Sequence, residues 1–576
     1  MSAPRSSRSV IDDRDHLIGL GMAAVFVVWL LLGARSLGFA RDEGFYFRAA
    51  GSYMGWFDML QQKGRLAFER SSIDAYWAAN HEHPSLVKSL FALSSMLFHK
   101  RLHLFADEST AFRLPGMLFA GLAMYVTYLF GARAYSRRAG VAAAWLLVLA
   151  PNVFYNCHLA CFDIPIMAMW ILCIYVYWRA SVERTWGWVL ACGIVYGFTL
   201  DTKHNSWILP LVFIVHTVCM QRRGNTSLRS TGGIVIPAPL VSMALIGPAV
   251  FVTLWPWLWN DTIPRFQEYV SFHVNHEYYN IEFLRKNYWG PPSPRLYAPV
   301  MIAATVPTIT VILFLVGFFD RVRVNLAWLA DRFGTTLGAR LGPIADSDVT
   351  SSELASTMPD LLIALGFFAA LGPWILERTP IFGGTKHWMT AYPSLALFAG
   401  YAFDRACTAL TTQLARVRPQ LSAARARDIT SVALGVAVFT APVLVTAHSH
   451  PFGLSAYVPF FGGTAGGASL GLNRQFWGFT TESVAPYFAK LPPRTTVYFH
   501  DTAWDSWTFL QAEKRVRPDL VGVGTAPEAT VSLTHHELHM AAQDVINWLS
   551  AGTPAPDEVV AYDGVPIVSV YRRNQP

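Results

Sequence analysis

Long apolar runs separated by short polar stretches dominate the chain up to about residue 447. A run of about 20 apolar residues crosses a bilayer as an α-helix. The pattern predicts such helices, about eleven of them, near the following positions: 17–37, 113–132, 139–156, 164–179, 186–200, 207–221, 233–257, 297–319, 360–377, 387–404 and 430–447. The first run is too long for the apolar part of a typical cleaved signal, so we expect it to be retained.

The run 85–98 is also apolar, but it is short and contains Lys88 and several serines, which favours a helix lying at the membrane surface. Arginine placement supports leaving this run out of the spans, because every inside connection is then basic. The basic segments are 5–14, 133–138, 179–184, 222–229, 321–340 and 405–427. With the N-terminus inside, both long loops and the C-terminal end lie outside.

Residues 448–576 follow the last predicted span, so we expect them to form a small folded α/β domain on the outer side. Thr495–His500 and Val565–Tyr571 resemble strands, and Glu537–Leu549 resembles a helix. The predicted fold is a polytopic α-helical membrane protein with this C-terminal domain. Its predicted parts are an inner tail 1–16, a membrane domain 17–447, outer loops 38–112 and 258–296 within it, and the outer domain 448–576.

Composition supports a membrane protein, since 53% of the residues are hydrophobic and only 14% are charged. The net charge of +7 comes with arginine in short loops, which suits membrane orientation better than nucleic-acid binding. The six cysteines show no disulfide framework and no zinc spacing.

Unusual polar residues collect on the predicted outer side, far apart in sequence. Each has a plain structural explanation: Asp163 precedes Pro165 as a helix cap would, lysines anchor spans, and His535–His539 resembles a solvated helix start. Their shared side favours a functional site instead. The residues are Asp42, Glu43, Tyr46, His83, Lys88, Asp163, Lys203, His204, His273, His276, Lys386 and His387.

This combination suits the transfer of a group from a lipid-linked donor. Lysines and histidines at membrane level suit a phosphate or pyrophosphate. Nearby carboxylates suit a general base, and aromatic residues suit a sugar ring and a lipid tail. His81, Glu82 and His83 also resemble metal ligands, but this spacing alone is weak evidence.

Several ordered motifs resemble those of the GT-C glycosyltransferases of family 39, which includes protein O-mannosyltransferases and lipid A aminoarabinose transferases. Asp42-Glu43 resembles the acidic pair that opens the first outer loop of that family. The other matching motifs are His83-Pro84-Ser85-Leu86-Val87-Lys88, Arg113-Leu114-Pro115, Asp163, Thr202-Lys203-His204-Asn205 and Gly383-Gly384-Thr385-Lys386-His387 with Tyr392-Pro393. Ser85 replaces a proline of the family pattern, and the resemblance covers roughly residues 15–405.

The resemblance implies a polyprenyl-phosphate sugar as donor, undecaprenyl-linked in a bacterium, and inversion at the sugar. Asp42 would be the base, with Glu43 and Asp163 orienting the acceptor or tuning Asp42. Lys203 and Lys386, then Lys88 and His387, would hold the donor phosphate. Contacts to donor or acceptor are expected from His83, His204, Tyr46, His273 and His276. No cofactor is expected, although a divalent ion shared by two outer aspartates stays open.

Two other functional classes stay open at the level of sequence. One is a transporter or flippase of a lipid-linked or amphipathic solute, and the other is an assembly subunit. Transporters usually place polar sites near the middle of the membrane, whereas these residues lie at the outer ends of the spans. We expect an integral protein of the bacterial inner membrane with its site on the periplasmic side. The sugar and the acceptor, which is a glycan, a lipid or a protein, are not specified.

Overall fold

The computed structural model describes residues 12–222, 229–230, 233–234, 236–332, 358–381 and 384–573. Most of these residues are helical, with strands mainly towards the C-terminus. Parts of the predicted basic segments 5–14, 222–229 and 321–340 fall outside the described residues, as does Gly383 of the last motif.

The first half of the chain is a succession of helices joined by short turns. In chain order they are α1 Asp13–Gly33, α2 Arg41–Lys63, α3 Arg70–Trp77, α4 Leu86–Ser94, α5 Glu108–Ala134, α6 Arg137–Val148, α7 Pro151–Asn156, α8 Asp163–Glu183, α9 Trp186–Leu200, α10 Leu209–Arg222, α11 Ala238–Leu254 and α12 Thr262–Val274.

The second half continues with longer helices and then shorter ones in the C-terminal domain. They are α13 Tyr297–Thr305, α14 Thr308–Arg332, α15 Pro359–Leu371, α16 Tyr392–Val417, α17 Ala423–Ser449, α18 Gly463–Ser469, α19 Ala485–Phe488, α20 Trp504–Ala512 and α21 Ala541–Ala551. Strands β1 Arg229–Ser230 and β2 Gly233–Ile234 form one small hairpin, and β3 Ile281–Phe283 and β4 Lys286–Tyr288 form another.

Among the described residues, four helices are long and apolar enough to cross a membrane: Asp13–Ser36, Glu108–Ala134, Asp163–Glu183 and Ala423–Ser449. Four shorter apolar helices, Trp186–Leu200, His204–Met220, Ala238–Leu254 and Pro359–Ile375, coincide with further predicted runs. The apolar helical architecture therefore agrees with the prediction, while the number of about eleven spans stays a prediction.

Two of the predicted runs are each divided between two α-helices. The run 139–156 is divided between α6 and α7, which begins at Pro151. The run 297–319 is divided between α13 and α14, with Val306 in an extended conformation before Pro307. Proline lacks an amide hydrogen and disfavours helical geometry in the residue before it, so each proline ends the helix that precedes it.

The run 85–98 forms the nine-residue helix α4 and a π-helical turn, Ser95–Arg101. Together the two rise at most about 24 Å, which is short of the roughly 30 Å hydrocarbon core of a bilayer. The polar loop before it contains a 23-residue helix, α2, that sequence analysis did not predict.

The C-terminal domain contains a mixed five-stranded sheet. Its strands are β5 Thr496–Phe499, β6 Val521–Val523, β7 Val531–His535, β8 Glu558–Tyr562 and β9 Val565–Arg572, in the order β6-β5-β7-β9-β8. Strands β5, β6 and β7 run parallel, whereas β9 is antiparallel to both β7 and β8. The α/β character and two of the strands match the prediction.

The prediction of a solvated helix start at His535–His539 is wrong. His535 ends strand β7 and is fully buried, and Glu537 is 6% exposed. The helix begins only at Ala541, after a short turn at Leu538–Met540. The polar residues suggested an exposed segment. Their burial could not be predicted, because it depends on partners distant in sequence.

The first loop and the C-terminal domain share one hydrophobic core. Phe47 of α2 packs against Phe509 of α20 with ring centroids 4.9 Å apart. Gly44 allows this approach, since a Cβ at that position would lie 2.5 Å from the backbone nitrogen of Ser506. The domain therefore packs directly against α2, whose first turn contains Asp42.

Candidate active site

Two lysine–carboxylate pairs face one cleft. Lys386 Nζ lies 3.1 Å from Asp42 Oδ2, and Lys203 Nζ lies 2.7 Å from Asp163 Oδ1. The cleft encloses about 690 Å³, its open mouth included. Its lining residues are Asp42, Tyr46, His83, Asp163, Lys203, His204, His273, His276, Trp374, Thr379, Pro380, Lys386 and His387.

The start of α2 fixes the position of Asp42. The neighbouring Glu43 accepts the Ala40 amide at 3.1 Å, which ties down the first turn of the helix. Arg113 donates to both oxygens of Glu43, each at 2.8 Å, and also to the carbonyl oxygens of Ala34, Leu37 and Gly38. This buried pair therefore joins the end of α1, the start of α2 and α5.

Asp42 is ionised in this setting. Burial raises the pKa of the Asp42 carboxyl, but Lys386 and Arg41 outweigh this and hold the pKa below its usual value. The side chain stays 21% exposed to the cleft. Asp42 can therefore accept a proton, and its basicity depends on how firmly Lys386 stays beside it.

Asp163 begins α8 but does not cap it, contrary to the plain structural explanation. Phe162 is the capping residue, and the Asp163 side chain bonds to Lys203 instead. A carboxylate in the first turn still interacts favourably with the helix dipole. Asp163 is 3% exposed, so the pair is nearly dry and lies at the wall of the cleft.

Histidines form another part of the cleft wall, called here the histidine wall. The rings of His204 and His273 stack with centroids 4.0 Å apart, and His83 lies 5.5 Å from His273. Burial lowers the pKa of each of these imidazoles, that of His273 to about 3, and neighbouring cations and histidines lower them further. The three rings are therefore neutral at neutral pH.

Two of the ring nitrogens are available to a ligand. Nδ1 of His83 and Nδ1 of His204 are buried and have no hydrogen-bond partner among the described residues. His273 instead bonds through Nε2 to the carbonyl oxygen of Glu82 at 3.0 Å, which fixes its ring. Buried polar atoms without partners are uncommon in proteins and often mark a functional site.

Two residues predicted for the site do not line the cleft. Glu43 is fully buried against Arg113, and Lys88 is fully buried beside the segment that contains His83. Lys88 donates to the His83 carbonyl oxygen at 2.9 Å and also to that of Asn80. Burial lowers the Lys88 pKa to about 7. Glu43 therefore helps to fix the position of Asp42, and Lys88 that of His83.

The other predicted site residues come together. Tyr46 packs on Phe162 with ring centroids 4.2 Å apart, and His387 packs on Trp374 at 4.5 Å. Lys386 and His387 come from the 3₁₀ turn Gly384–Ala391, more than 180 residues after Lys203 in the chain. Their shared cleft was predicted from the expected topology together with the family motifs.

Sequence analysis missed the part that the C-terminal domain plays. The ring of Trp477 lies 4.1 Å from Lys386 Nζ, and Arg41 bonds to Asp501 at 3.3 Å. The cleft residues Trp374, Thr379 and Pro380 were also missed. No recognisable motif contains Trp374, Thr379, Pro380, Trp477 or Asp501, so no sequence signal marked them.

The described residues contain no group of three or more His, Cys, Asp or Glu side chains arranged to hold a metal ion. His81 bonds to Glu268 at 3.0 Å, and His83 faces the cleft, so the two histidines of that motif have different surroundings.

The cleft is cationic and lined by histidines, and it contains an ionised aspartate. One protein-family model matches part of the chain. Residues 83–257 match the family described as dolichyl-phosphate-mannose-protein mannosyltransferase. The resemblance drawn from the motifs is thus confirmed, and the matched segment contains His83, Asp163, Lys203 and His204.

Solved structures with a similar overall course include ArnT from Cupriavidus metallidurans bound to undecaprenyl phosphate, at 17% identity and a TM-score of 0.46, covering 96% of this chain and 97% of that one. The apo form of that protein gives 18% identity and a TM-score of 0.48, with the same coverage. The apo Archaeoglobus fulgidus oligosaccharyltransferase gives 13% and 0.46, covering 94% of this chain and 72% of that one. No curated protein sequence matches the chain.

Proposed function

We propose that this protein transfers a sugar from a polyprenyl-phosphate donor to an acceptor hydroxyl, with inversion at the anomeric carbon. The observation that carries the proposal is the single cleft that contains both lysine–carboxylate pairs and the histidine wall. The match to a mannosyltransferase family that uses a dolichyl-phosphate sugar supports the same donor class.

The donor phosphate fits between Lys203 and Lys386. Each lysine is at most 12% exposed, so its charge is poorly screened by water. A charge-assisted hydrogen bond of this kind contributes about 1.5–3 kcal/mol. The unpartnered Nδ1 atoms of His83 and His204 supply two further positions for phosphate oxygens.

Asp42 is the proposed base. When the donor phosphate draws Lys386 away, the cation that lowers the pKa of Asp42 is partly neutralised and the carboxylate becomes a better proton acceptor. The acceptor oxygen loses its proton to Asp42 and bonds to the anomeric carbon. The bond from that carbon to the phosphate oxygen breaks on the opposite face, and polyprenyl phosphate leaves with the electron pair.

This reaction explains the cleft better than transport does. The family match is to an enzyme of glycosyl transfer, and an ionised aspartate between cations suits proton transfer. We further propose that the cleft and the C-terminal domain lie on the periplasmic side of a bacterial inner membrane. The segment-by-segment arginine distribution supports this orientation.

The test is Asp42→Asn in purified full-length protein given a radiolabelled polyprenyl-phosphate sugar and an extract of envelope acceptors. Loss of the base should lower kcat by about 10²–10⁴-fold with the protein still folded. Asp58→Asn is the matched control, because Asp58 lies on the same helix and is exposed to solvent. Near-normal turnover by Asp42→Asn would rule out Asp42 as the base.

The same assay separates the alternatives. A glycosyltransferase releases polyprenyl phosphate and labels an acceptor covalently. A transporter reconstituted in vesicles would move the intact donor lipid between leaflets without cleaving it. If the wild-type protein neither cleaves the donor nor labels an acceptor, the proposed function is wrong.

A further inference from the structure

A second cavity lies beside the Asp42–Lys386 pair. It encloses about 870 Å³, its open mouth included, between the C-terminal domain, the β3–β4 hairpin region and the start of α2. Arg41 and Gly384 line this cavity, while the adjacent Asp42 and Lys386 line the cleft. The ring of Trp477 is shared, since it lines the cavity and lies 4.1 Å from Lys386 Nζ.

Three buried carboxyl groups line this cavity: Glu282, Asp501 and Glu537, which are 4%, 2% and 6% exposed. Burial raises the pKa of Glu537 well above its usual value, and the neighbouring Asp501 raises it further. Glu537 is therefore held as a neutral carboxyl group that can donate a hydrogen bond. Asp501 pairs through Oδ1 with Arg41 at 3.3 Å.

Several polar atoms of this cavity lack partners. Asn280 Oδ1, Asn473 Oδ1 and the Tyr278 hydroxyl are buried and make no hydrogen bond of good geometry within the part of the chain that the structure describes. Two of the three are acceptors only. Because buried polar atoms are normally satisfied, the cavity suits a ligand rich in hydrogen-bond donors.

Aromatic rings complete the walls. Trp289, Phe476 and Trp477 line the cavity beside the carboxyl groups. Flat apolar rings next to oxygen acceptors match a sugar, which presents C–H faces and hydroxyl edges. A phosphate fits poorly, because Arg41 is already paired with Asp501 and the acidic side chains would repel it.

We propose that this cavity binds a sugar unit of the acceptor, so that the acceptor is a glycan. The inference rests on the proposed glycosyl transfer and gives the C-terminal domain a role in it. Asp501, Glu537 and Tyr278 hold the sugar by its hydroxyl groups, with Phe476 and Trp477 against its face. The sugar then lies next to Arg41-Asp42, where one of its hydroxyl groups can meet the proposed base.

Tyr278→Phe gives a clean test, because the hydroxyl it removes bonds no described protein atom. Tyr53→Phe is the matched control: its hydroxyl is also buried without a partner, but Tyr53 does not line the cavity. The probes are free glucose, galactose and N-acetylglucosamine. Their binding to the full-length protein in detergent is measured by saturation-transfer difference NMR.

We expect at least one sugar to bind with a millimolar dissociation constant, weakened about 3- to 10-fold in Tyr278→Phe and Glu537→Gln and unchanged in Tyr53→Phe. Two results would overturn the inference. One is that no sugar gives a signal at about 10 mM, a concentration that detects even weak binding. The other is that Tyr278→Phe and Tyr53→Phe behave alike.

An assay of donor hydrolysis in the absence of acceptor distinguishes a failure of this inference from a failure of the proposed function. Tyr278→Phe should leave the KM for the polyprenyl-phosphate sugar unchanged. A raised donor KM would assign the cavity to the donor sugar and overturn the acceptor assignment. If the wild type never consumes the donor but sugars bind in a Tyr278-dependent way, the proposed function fails and the sugar site stands.

Discussion

Lys203 and Lys386 pair with different carboxylates, so their removal should affect the reaction differently. Lys203→Ala should raise the KM for the donor about 10- to 100-fold, the loss expected for one charge-assisted contact, and change kcat little. Lys386→Ala should also shift the acid limb of the pH profile of kcat to higher pH, because Lys386 lowers the pKa of Asp42. Steady-state kinetics with the labelled donor measure both effects.

The control for these changes is Lys63→Ala, since Lys63 is exposed at the end of α2. Lys203→Ala also leaves Asp163 without its partner, so the double change with Asp163→Asn separates a lost phosphate contact from an unpaired buried charge. Unchanged donor KM in both variants would contradict the assignment of Lys203 to the phosphate.

The histidine wall predicts sensitivity to acid. His83, His204 and His273 have pKa values below the usual 6.5 in the folded protein, so they bind fewer protons than in the unfolded chain. Stability is then full above about pH 6.5 and falls as the pH drops below it, by up to about 1.4 kcal/mol per pH unit for each histidine.

The measurement is the midpoint of thermal unfolding, Tm, between about pH 5 and pH 8, the range in which a histidine of ordinary pKa titrates. His273→Asn should reduce the fall in Tm on the acid side. His103→Asn is the control, because the His103 side chain is exposed outside the cleft. An acid limb of equal slope in both variants would contradict the prediction.

At the level of elements, the contact between α2 and α20 connects the site to the C-terminal domain. Gly44→Ala places a Cβ 2.5 Å from the Ser506 backbone nitrogen, and a backbone atom cannot move aside as a side chain does. Overpacking of this kind costs about 1–3 kcal/mol. We expect a lower Tm and faster proteolysis of the C-terminal domain.

Gly51→Ala on the same helix is the matched control, since a Cβ there meets nothing within 4 Å. Replacing glycine by alanine inside a helix stabilises it by about 0.5–1 kcal/mol when space allows. The two substitutions should therefore shift Tm in opposite directions. Equal shifts would show that the close approach of α2 and α20 does not matter for stability.

The elements also show which features a sequence can predict. Apolar runs predict helices because a long apolar segment is visible in the local sequence. The helix Asp163–Glu183, for example, nearly coincides with the predicted run 164–179. Strands β6, β7 and β8 were missed, since strands of three to five residues carry little pattern and β7 buries Ser532, Thr534 and His535. A buried strand with polar side chains can be recognised only once the neighbouring strands are known.

The same reasoning applies to the candidate site. Asp42, Asp163, Lys203 and Lys386 were predicted together because they share motifs and a membrane side, and they line one cleft. The function of Glu43 was less clear, because its partner Arg113 lies 70 residues away. The contact of Arg41 with Asp501 joins residues 460 apart and had no local signal at all.

At the scale of the whole molecule, the proposed reaction needs the cleft and the C-terminal domain on the same side of the membrane. Arg41, Trp477 and Asp501 join the two by direct contact, so they cannot face opposite sides. The arginine-rich segment 405–427 is predicted to lie on the other side. One labelling experiment can therefore measure on which side of the membrane the cleft and the C-terminal domain lie.

Single cysteines provide this measurement. Leu549→Cys lies on α21 of the C-terminal domain and Val417→Cys at the end of α16, at positions that are 77% and 73% exposed. A maleimide that does not cross membranes should label Leu549→Cys in cells with a permeable outer membrane and an intact inner membrane, and label Val417→Cys only after lysis. Five of the six native cysteines are buried, which keeps background labelling low. The reverse pattern would place the cleft in the cytoplasm and exclude transfer to periplasmic acceptors.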